Sequence, residues 1–351
     1  MKTILVTGGL GFVGSHTCVT LLEKGYKILI VDSLINSKKK VIERIKKIIL
    51  STKNDFNKQL LFYQCDLRDE SKLENIFKNN TSESKQVDAV IHFAGLKAVS
   101  ESIKDPLRYF DFNVISTINL LKIMEKFNCK KIVFSSSATI YGNNGEYCNL
   151  KEDTNAEPIN PYGETKIIIE KILQNLYLSS NSWSVSILRY FNPIGAHPSG
   201  LIGENPLDPP NNIFPIINDV ALGQRKKLII YGNDWDTYDG TGVRDYIHVM
   251  DLADGHVSAL EYLFKNNGEI IHLNLGTGNG TSVLELISIF QSVNNIEIPY
   301  FFSKKRKGDV ARLVADITLA KEKLNWLPIR DLKMMCRDGW QWKKQNINGY
   351  E

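Results

Sequence analysis

Cysteine, histidine, long apolar runs and charge of one sign are all scarce in this sequence. The five cysteines, at positions 18, 65, 129, 148 and 336, form no CxxC pair and no metal-ligand spacing, and their odd number argues against a disulfide framework. A reducing compartment is expected. The six histidines are scattered without an HxxxH pair, so each reads most simply as a structural side chain and no metal is expected. No apolar run reaches the roughly 18 residues of a membrane span, and Met1-Lys2 leads into a short apolar run without the longer hydrophobic region of a signal peptide. The expected location is cytoplasmic, with no membrane partner. Forty-three basic against 39 acidic residues give a formal net charge of +4, too mild to call for a nucleic acid or another polyanion.

What remains is the composition of an ordinary globular protein, 43% hydrophobic and 23% charged. A single hydrophobic core seldom grows past about 250 to 300 residues, so 351 residues fit one large domain or two unequal ones, and two lobes are expected. The densest basic stretch, Lys38-Lys39-Lys40 with Arg44, Lys46 and Lys47, interleaves with Val41, Ile42, Ile45, Ile48 and Ile49 at helical spacing. It reads as an amphipathic surface helix.

Apolar runs at Thr3 to Thr7 and Lys27 to Val31 flank a helical pattern from Val13 to Glu23. This β-α-β order forces parallel strands with a right-handed crossover. Leu61 to Gln64, Ala89 to Phe93 and Lys131 to Ser135 extend the alternation, with helical patterns between them, notably Leu107 to Phe127. The expected fold class is α/β, a doubly wound parallel sheet of Rossmann type. A further helix starts after Asn160, a good N-cap, with Pro161 at its first position, and its apolar face runs through Ile168, Ile169, Ile172, Leu173 and Leu176. Beyond Asn192 the texture changes to Pro and Gly punctuation, as in Asn192-Pro193-Ile194-Gly195 and Asp208-Pro209-Pro210-Asn211-Asn212. The smaller lobe is placed here, with His272 to Leu275 returning to the sheet.

Gly8-Gly9-Leu10-Gly11-Phe12-Val13-Gly14 lies between the first strand and the first helix. Glycines there permit a tight turn and let the backbone approach a pyrophosphate at the helix N-terminus. Asp32 closes the second strand, where a carboxylate can accept bonds from both ribose hydroxyls and repel a 2′-phosphate. The expected cofactor is therefore NAD rather than NADP. Asp66, just past the third strand, is placed to meet the adenine.

Tyr162 and Lys166 are four apart on a predicted helix and share one face, and Ser137 ends a serine run leaving an apolar strand. A phenol of pKa about 10 is a poor base at neutral pH unless a cation stabilises its phenolate. Lys166 supplies one such charge and an oxidised nicotinamide a second, while Ser137 can bond the oxygen that becomes a carbonyl. The expected catalytic residues are Ser137, Tyr162 and Lys166.

With TGGLGFVGSH at the start, HFAGLKAV from His92, SSSATIYG from Ser135 and PYGETK from Pro161, the chain resembles the extended short-chain dehydrogenase/reductases. RYFNPIGAHPSG from Arg189, PNN at Pro210, GTGVRDYIHVMDLADGH from Gly240 and NLGTG from Asn274 carry the resemblance along nearly the whole length. Within that family it resembles the members that reversibly invert C4 of UDP-glucose and UDP-galactose. The resemblance implies that Tyr162 takes the O4 proton while C4 lends its hydride to a tightly held NAD. The planar 4-keto sugar then turns over on its UDP handle. It implies cofactor contacts from Gly8, Gly11, Phe12, Val13 and Gly14, from Asp32, Asn36 and Ser37, from Asp66 and Leu67, and from Phe93, Ala94, Gly95, Lys97 and Phe191, beside the catalytic three. Substrate contacts are implied for Lys97, Ser137, Tyr162, Asn192, Asn212, Ile213, Tyr231, Arg244, Arg306, Asp309 and Leu313. Residues 1–191 would form the NAD-binding domain, rejoined by parts of 243–278, and 192–351 mainly a UDP-sugar lobe. A homodimer is implied through the helices at Leu107 to Phe127 and Pro161 to Tyr177.

Two positions depart from the family pattern. Leu313 stands where members restricted to plain hexoses carry a bulky Tyr, which implies some activity on UDP-N-acetylhexosamines. Phe112 stands where relatives often place an Asn beside the cofactor. Four alternatives stay open at this point: a 4,6-dehydratase, a UDP-uronate decarboxylase, an ordinary releasing dehydrogenase and a non-catalytic NAD-binding scaffold. Against the first, Ala138 and Thr139 follow Ser137 where expulsion of a hydroxyl would want an acid. Against the last, Ser137, Tyr162 and Lys166 are all intact.

Overall fold

The computed structural model describes residues 1–52, 59–82, 86–145, 148–207, 209–306 and 308–351. Asp208, at the start of the Pro-rich punctuation, lies outside them. Seven parallel strands form one sheet in the order Ile270–Leu275, Ser184–Tyr190, Lys131–Ser137, Ala89–His92, Thr3–Thr7, Lys27–Asp32, Leu60–Gln64. All five residues of Thr3–Thr7 are buried, because helices cover both faces of a parallel sheet.

The helices Phe12–Glu23, Lys40–Thr52 and Val249–Lys265 pack on one face through Val19, Leu22, Ile45, Ile49, Leu252 and Leu260. On the other, Glu70–Asn79, Ser116–Lys126 and Pro161–Ser179 pack through Leu73, Phe77, Leu120, Ile169 and Leu173. The expected amphipathic helix is Lys40–Thr52, with Val41, Ile42, Ile45, Ile48 and Ile49 turned inward. Asn160 caps Pro161–Ser179, its Oδ1 accepting from Gly163 N at 2.9 Å.

Two elements differ from expectation. The segment expected as one helix from Leu107 to Phe127 is instead Pro106–Tyr109, a π-helical stretch Phe110–Ile115, and Ser116–Lys126. The wider turn sets Asn113 inward, where its Oδ1 accepts from Leu96 N at 2.7 Å and its Nδ2 donates to Leu96 O at 3.1 Å and Thr165 Oγ1 at 3.0 Å. The strand Ser184–Tyr190 was not expected. Its alternating Ser184 and Ser186 are fully buried and interrupt what would otherwise be an apolar run.

A separate cluster gathers Ile194, Phe214, Ile217, Leu228, Ile230, Tyr246, Leu286, Phe290 and Met335. Short parallel pairs, Asn192–Ile194 with Tyr246–His248 and Leu228–Tyr231 with Tyr300–Ser303, support it. Among the described residues no helix is long and apolar enough to cross a membrane.

Candidate active site

The sheet order reverses between Thr3–Thr7 and Ala89–His92, and at such a point the loops leaving the strand carboxyl ends part to form a crevice. A cavity of about 830 Å³ opens there and extends to the separate apolar cluster. Every expected cofactor, catalytic and substrate residue lines it.

At one end the glycine loop is crowded. A Cβ on Gly14 would sit 2.3 Å from Gly8 O, and one on Gly8, whose φ is +65°, 2.8 Å from Ala94 N. The helix Phe12–Glu23 starts at Gly11 with no side-chain cap. Its first N–H groups are thus available to an anion in the cavity. Asp32 is tied into this loop: Oδ2 accepts from Leu10 N at 3.0 Å, and Oδ1 from Leu34 N at 2.9 Å and Ser37 Oγ at 2.8 Å.

Asp66 also lines the cavity, but its carboxylate is gripped by Arg68, with Nη2 at 2.6 Å and Nε at 3.1 and 3.2 Å. That guanidinium holds the acid below its ordinary pKa. Arg68 reaches Asp111 at 2.5 Å as well, and lies 3.6 Å from the Phe112 ring centroid. The departure at Phe112 therefore builds a cation–π wall.

At the centre, Ser137 Oγ donates to Thr139 Oγ1 at 3.0 Å and accepts from Thr139 N at 3.2 Å. Lys166 Nζ donates to Ser135 O at 2.8 Å and lies 5.8 Å from the Tyr162 ring centroid. Both side chains are buried. Burial pulls the Lys166 amine down to about 8 and pushes the Tyr162 phenol well above its ordinary value, with Tyr190 adding to the rise and the neighbouring Ser137 hydroxyl opposing it. The chain's own residues therefore favour the protonated phenol, and the expected acidification needs the second charge, that of an oxidised nicotinamide, beside Lys166.

At the far end, Arg244 and Arg306 face the cavity. Arg244 donates to the carbonyls of Val243 and Ala311 at 2.8 and 3.4 Å, and burial lowers its pKa. Arg306 pairs with Asp309 at 3.0 Å and lies 4.5 Å from the Tyr231 ring centroid. Two guanidinium groups with donors to spare suit a diphosphate. Leu313 sits beside Arg244 in register.

Glu204 escaped the sequence reading. Its Oε1 holds Lys97 Nζ and Asn212 Nδ2, each at 3.2 Å, and all three residues line the cavity. Trp342 Nε1 anchors its carbonyl at 3.2 Å. An acid amid Pro and Gly punctuation was the only signal. Tyr190, which perturbs both Tyr162 and Lys97, was missed too.

Fold and cavity together define a dinucleotide-binding α/β protein of the extended short-chain dehydrogenase/reductase class. The profile of the family described as GDP-mannose 4,6 dehydratase matches residues 5–339. A curated relative, UDP-glucose 4-epimerase of Bacillus subtilis (strain 168), is 49% identical over 348 residues, 99% of this chain and 98% of its own. The crystal structure of UDP-glucose 4-epimerase from Bifidobacterium longum in complex with NAD+ and UDP matches with TM-score 0.92 and 44% identity, covering 99% of this chain and 100% of that one. That of the enzyme from Stenotrophomonas maltophila, with bound NAD and formylated UDP-arabinopyranose, matches with TM-score 0.92 and 43% identity over 99% of each chain. The chain belongs to the UDP-glucose 4-epimerase family.

Proposed function

We propose that this chain interconverts UDP-glucose and UDP-galactose by inverting C4 through a transient 4-keto sugar, using NAD held throughout the cycle. The observation that carries the proposal is the single cavity, in which a glycine-lined helix N-terminus, the Ser137–Tyr162–Lys166 group and the Arg244–Arg306 pair follow one another.

NAD fits the residues present. The space that a Cβ on Gly8 or Gly14 would fill is closed by backbone alone, the helix N-terminus lacks a cap, and Asp32 stands at the end of the second strand. When bound, the cofactor supplies the acceptor and donor of the C4 hydride and a positive charge in its oxidised form. The glycine loop and the first turn of Phe12–Glu23 would hold its pyrophosphate, and Asp32 its adenosine ribose.

Arg244 and Arg306 bind the UDP diphosphate, with Asn192, Asn212, Ile213, Tyr231 and Asp309 around the nucleotide. Ser137 donates to the hexose O4, and the Tyr162 phenolate, stabilised by Lys166, accepts the O4 proton and becomes a phenol. Tyr162 later returns the proton. Because the anchors grip the nucleotide, the keto sugar can turn over between the two halves of the reaction. The turn Ala138–Tyr141, which follows Ser137, presents no carboxylate to expel a hydroxyl, unlike what a dehydratase needs. The test is to offer UDP-galactose to purified protein without added cofactor and follow UDP-glucose by NMR. Unchanged UDP-galactose in the presence of folded, NAD-loaded protein would refute the reading.

Leu313 extends the proposal to UDP-N-acetylhexosamines, because it lines the cavity beside Arg244 without a phenol. Conversion of UDP-N-acetylgalactosamine is expected, with Leu313→Tyr abolishing it and sparing UDP-galactose. No conversion by the parent protein at long times would sink the extension. The division into an NAD-binding domain at 1–191, rejoined by parts of 243–278, and a UDP-sugar lobe at 192–351 is supported by the strand Ile270–Leu275 in the sheet and the separate apolar cluster. A homodimer through the 107–127 and 161–177 helices is supported by the exposed Leu107, Ile115 and Leu178. A cytoplasmic location is supported by the free state of all five cysteines.

A further inference from the structure

The helix Pro161–Ser179 carries Tyr162, Lys166 and Glu170 at successive i, i+4 positions, and all three are buried. The mechanism uses the first two and leaves the third without a task. Glu170 accepts from Ser136 Oγ at 2.5 Å and from Arg189 Nη2 at 2.7 Å, with Arg189 Nε at 3.2 and 3.3 Å from its two oxygens. The far nitrogen of Arg189 donates to Glu152 O at 2.7 Å and Tyr141 OH at 3.1 Å. The pair is almost wholly enclosed, at 3% and 8% side-chain exposure. Burying two charges recovers little stability over an apolar pair.

Its position suggests a use. The strand Lys131–Ser137 ends in three serines with separate duties: Ser135 O receives Lys166, Ser136 Oγ binds Glu170, and Ser137 Oγ lines the cavity. Lys166 forms no ion pair among the described residues. It faces the Phe134 ring at 4.9 Å and the Tyr162 ring at 5.8 Å. From the next strand it faces His92, which burial and the Lys166 charge hold neutral, down at about 3. Burial draws Lys166 toward its neutral form, and the Glu170 carboxylate, one turn away, opposes this.

We propose that Glu170 is a positioning residue for the reaction: clamped by Ser136 and Arg189, it supplies the countercharge that keeps Lys166 cationic and fixes the helix–strand seam that sets Tyr162 against Ser137. The proposal rests on the reading of Lys166 given above.

The test is Glu170→Gln in the NAD-loaded protein, beside Glu170→Asp and Arg189→Gln. Two quantities are followed: the titration of Lys166 by NMR of protein carrying ε-13C lysine, assigned with Lys166→Arg, and the pH profile of kcat/KM. Removing the carboxylate moves the Lys166 titration and the alkaline limb of the profile to lower pH by roughly one unit. Glu170→Asp restores most of it, and Arg189→Gln, which leaves Glu170 unopposed, moves both the other way. Should Glu170→Gln fail to fold, the double variant Glu170→Gln/Arg189→Gln buries no lone charge and carries the same measurement, with a smaller shift in the same direction. A purely structural role would lower Tm and leave the Lys166 titration where it was, and that result overturns the proposal. A Lys166 titration that moves while the rate profile stays put confirms the countercharge and removes Lys166 from the catalytic group instead.

Discussion

Replacing Asp32 separates the loop-tying duty that the structure shows from the ribose-reading duty proposed for the same carboxylate. Asp32 accepts from Leu10 N, Leu34 N and Ser37 Oγ at 3.0, 2.9 and 2.8 Å, so it ties the glycine loop to the end of the second strand before any cofactor arrives. Hydrogen bonds to a charged group contribute about 1.5 to 3 kcal/mol each, and a buried donor left alone costs about 1 to 3 kcal/mol. The bonds to Leu10 N and Ser37 Oγ are buried, whereas Leu34 is half-buried, so water can replace the carboxylate there. Asp32→Ala therefore destabilises the cofactor-free protein by about 2 to 4 kcal/mol. Asp32→Asn keeps an acceptor for Leu34 N and Ser37 and loses roughly half as much.

Selectivity follows a different rule. A carboxylate about 5 Å from a 2′-phosphate, at an effective dielectric near 20, costs NADP about 3 kcal/mol, roughly a hundredfold in affinity. Both variants remove that repulsion. The prediction is that Asp32→Asn and Asp32→Ala lose most of the preference for NAD over NADP alike, while only Asp32→Ala melts markedly earlier. Calorimetric titration of nucleotide-stripped protein and thermal melts without nucleotide read the two effects apart. An Asn variant as selective as the parent would mean that another group reads the ribose, and an Ala variant as stable as the parent would refute the loop-tying duty.

Tyr162→Phe removes the proton acceptor and nothing else in the cavity, so it should keep NAD and UDP while losing at least about a hundredfold in kcat; near-normal turnover at every pH would take Tyr162 out of the mechanism. Tyrosinate absorbance should appear near neutral pH in the NAD-loaded protein and be missing from the Tyr162→Phe variant and from nucleotide-stripped protein, and a spectrum indifferent to cofactor would contradict the electrostatics. His16, His92 and His256 are wholly buried and held neutral, with pKa values of about 3, 3 and 4 against an ordinary 6.5. Their neutral forms contribute stability fully above pH 6.5, and it is lost as pH falls toward the folded values, because the unfolded chain then binds protons that the folded chain refuses. Three such sites approach a slope of about 4 kcal/mol per pH unit near pH 5, so the urea midpoint should fall steeply between pH 6 and pH 5. A flat midpoint over that range would show that these rings titrate in the fold.

The parts of the site legible in the sequence are those where one local rule fixes both conformation and chemistry. Gly8, Gly11 and Gly14 signal a loop that only backbone can fill, and a Cβ on Gly14 would indeed strike Gly8 O at 2.3 Å. Asn160-Pro161 starts the helix that pairs Tyr162 with Lys166, and the strand into Ser137 needs only its apolar run. Ser184–Tyr190 was illegible because a parallel strand covered on both faces usually reads as continuous apolar sequence, while Ser184, Ser186 and Arg189 break it. Ser184 Oγ accepts from Gly268 N, 84 residues away, and Arg189 is spoken for by Glu170. The π-helical turn was hidden because its cause, Asn113 bonding Leu96 and Thr165, lies in other elements. Glu204 was hidden for the same reason, since its partners Lys97 and Asn212 are remote in sequence. The convergence of Arg244 and Arg306 on one cavity followed from family resemblance and from no spacing rule.

The central group also explains why a borrowed cofactor should stay bound. Burial shifts Tyr162 and Lys166 in opposite senses, up for the phenol and down for the amine at about 8, so the unaided chain holds its proton on Tyr162. That is the protonation state of an acid, suited to returning a proton to the sugar. Removing one requires an additional cation near the phenol, which on the proposed mechanism accompanies only the oxidised cofactor. On that mechanism Tyr162 would serve as base before hydride transfer and as acid after it. Release of cofactor between the two halves would break that coupling and leave the keto sugar facing a phenol whose proton had no hydride to accompany it. On the proposed mechanism the enclosed lysine, hydrogen-bonded to Ser135 O at 2.8 Å, stays beside the phenol in both states.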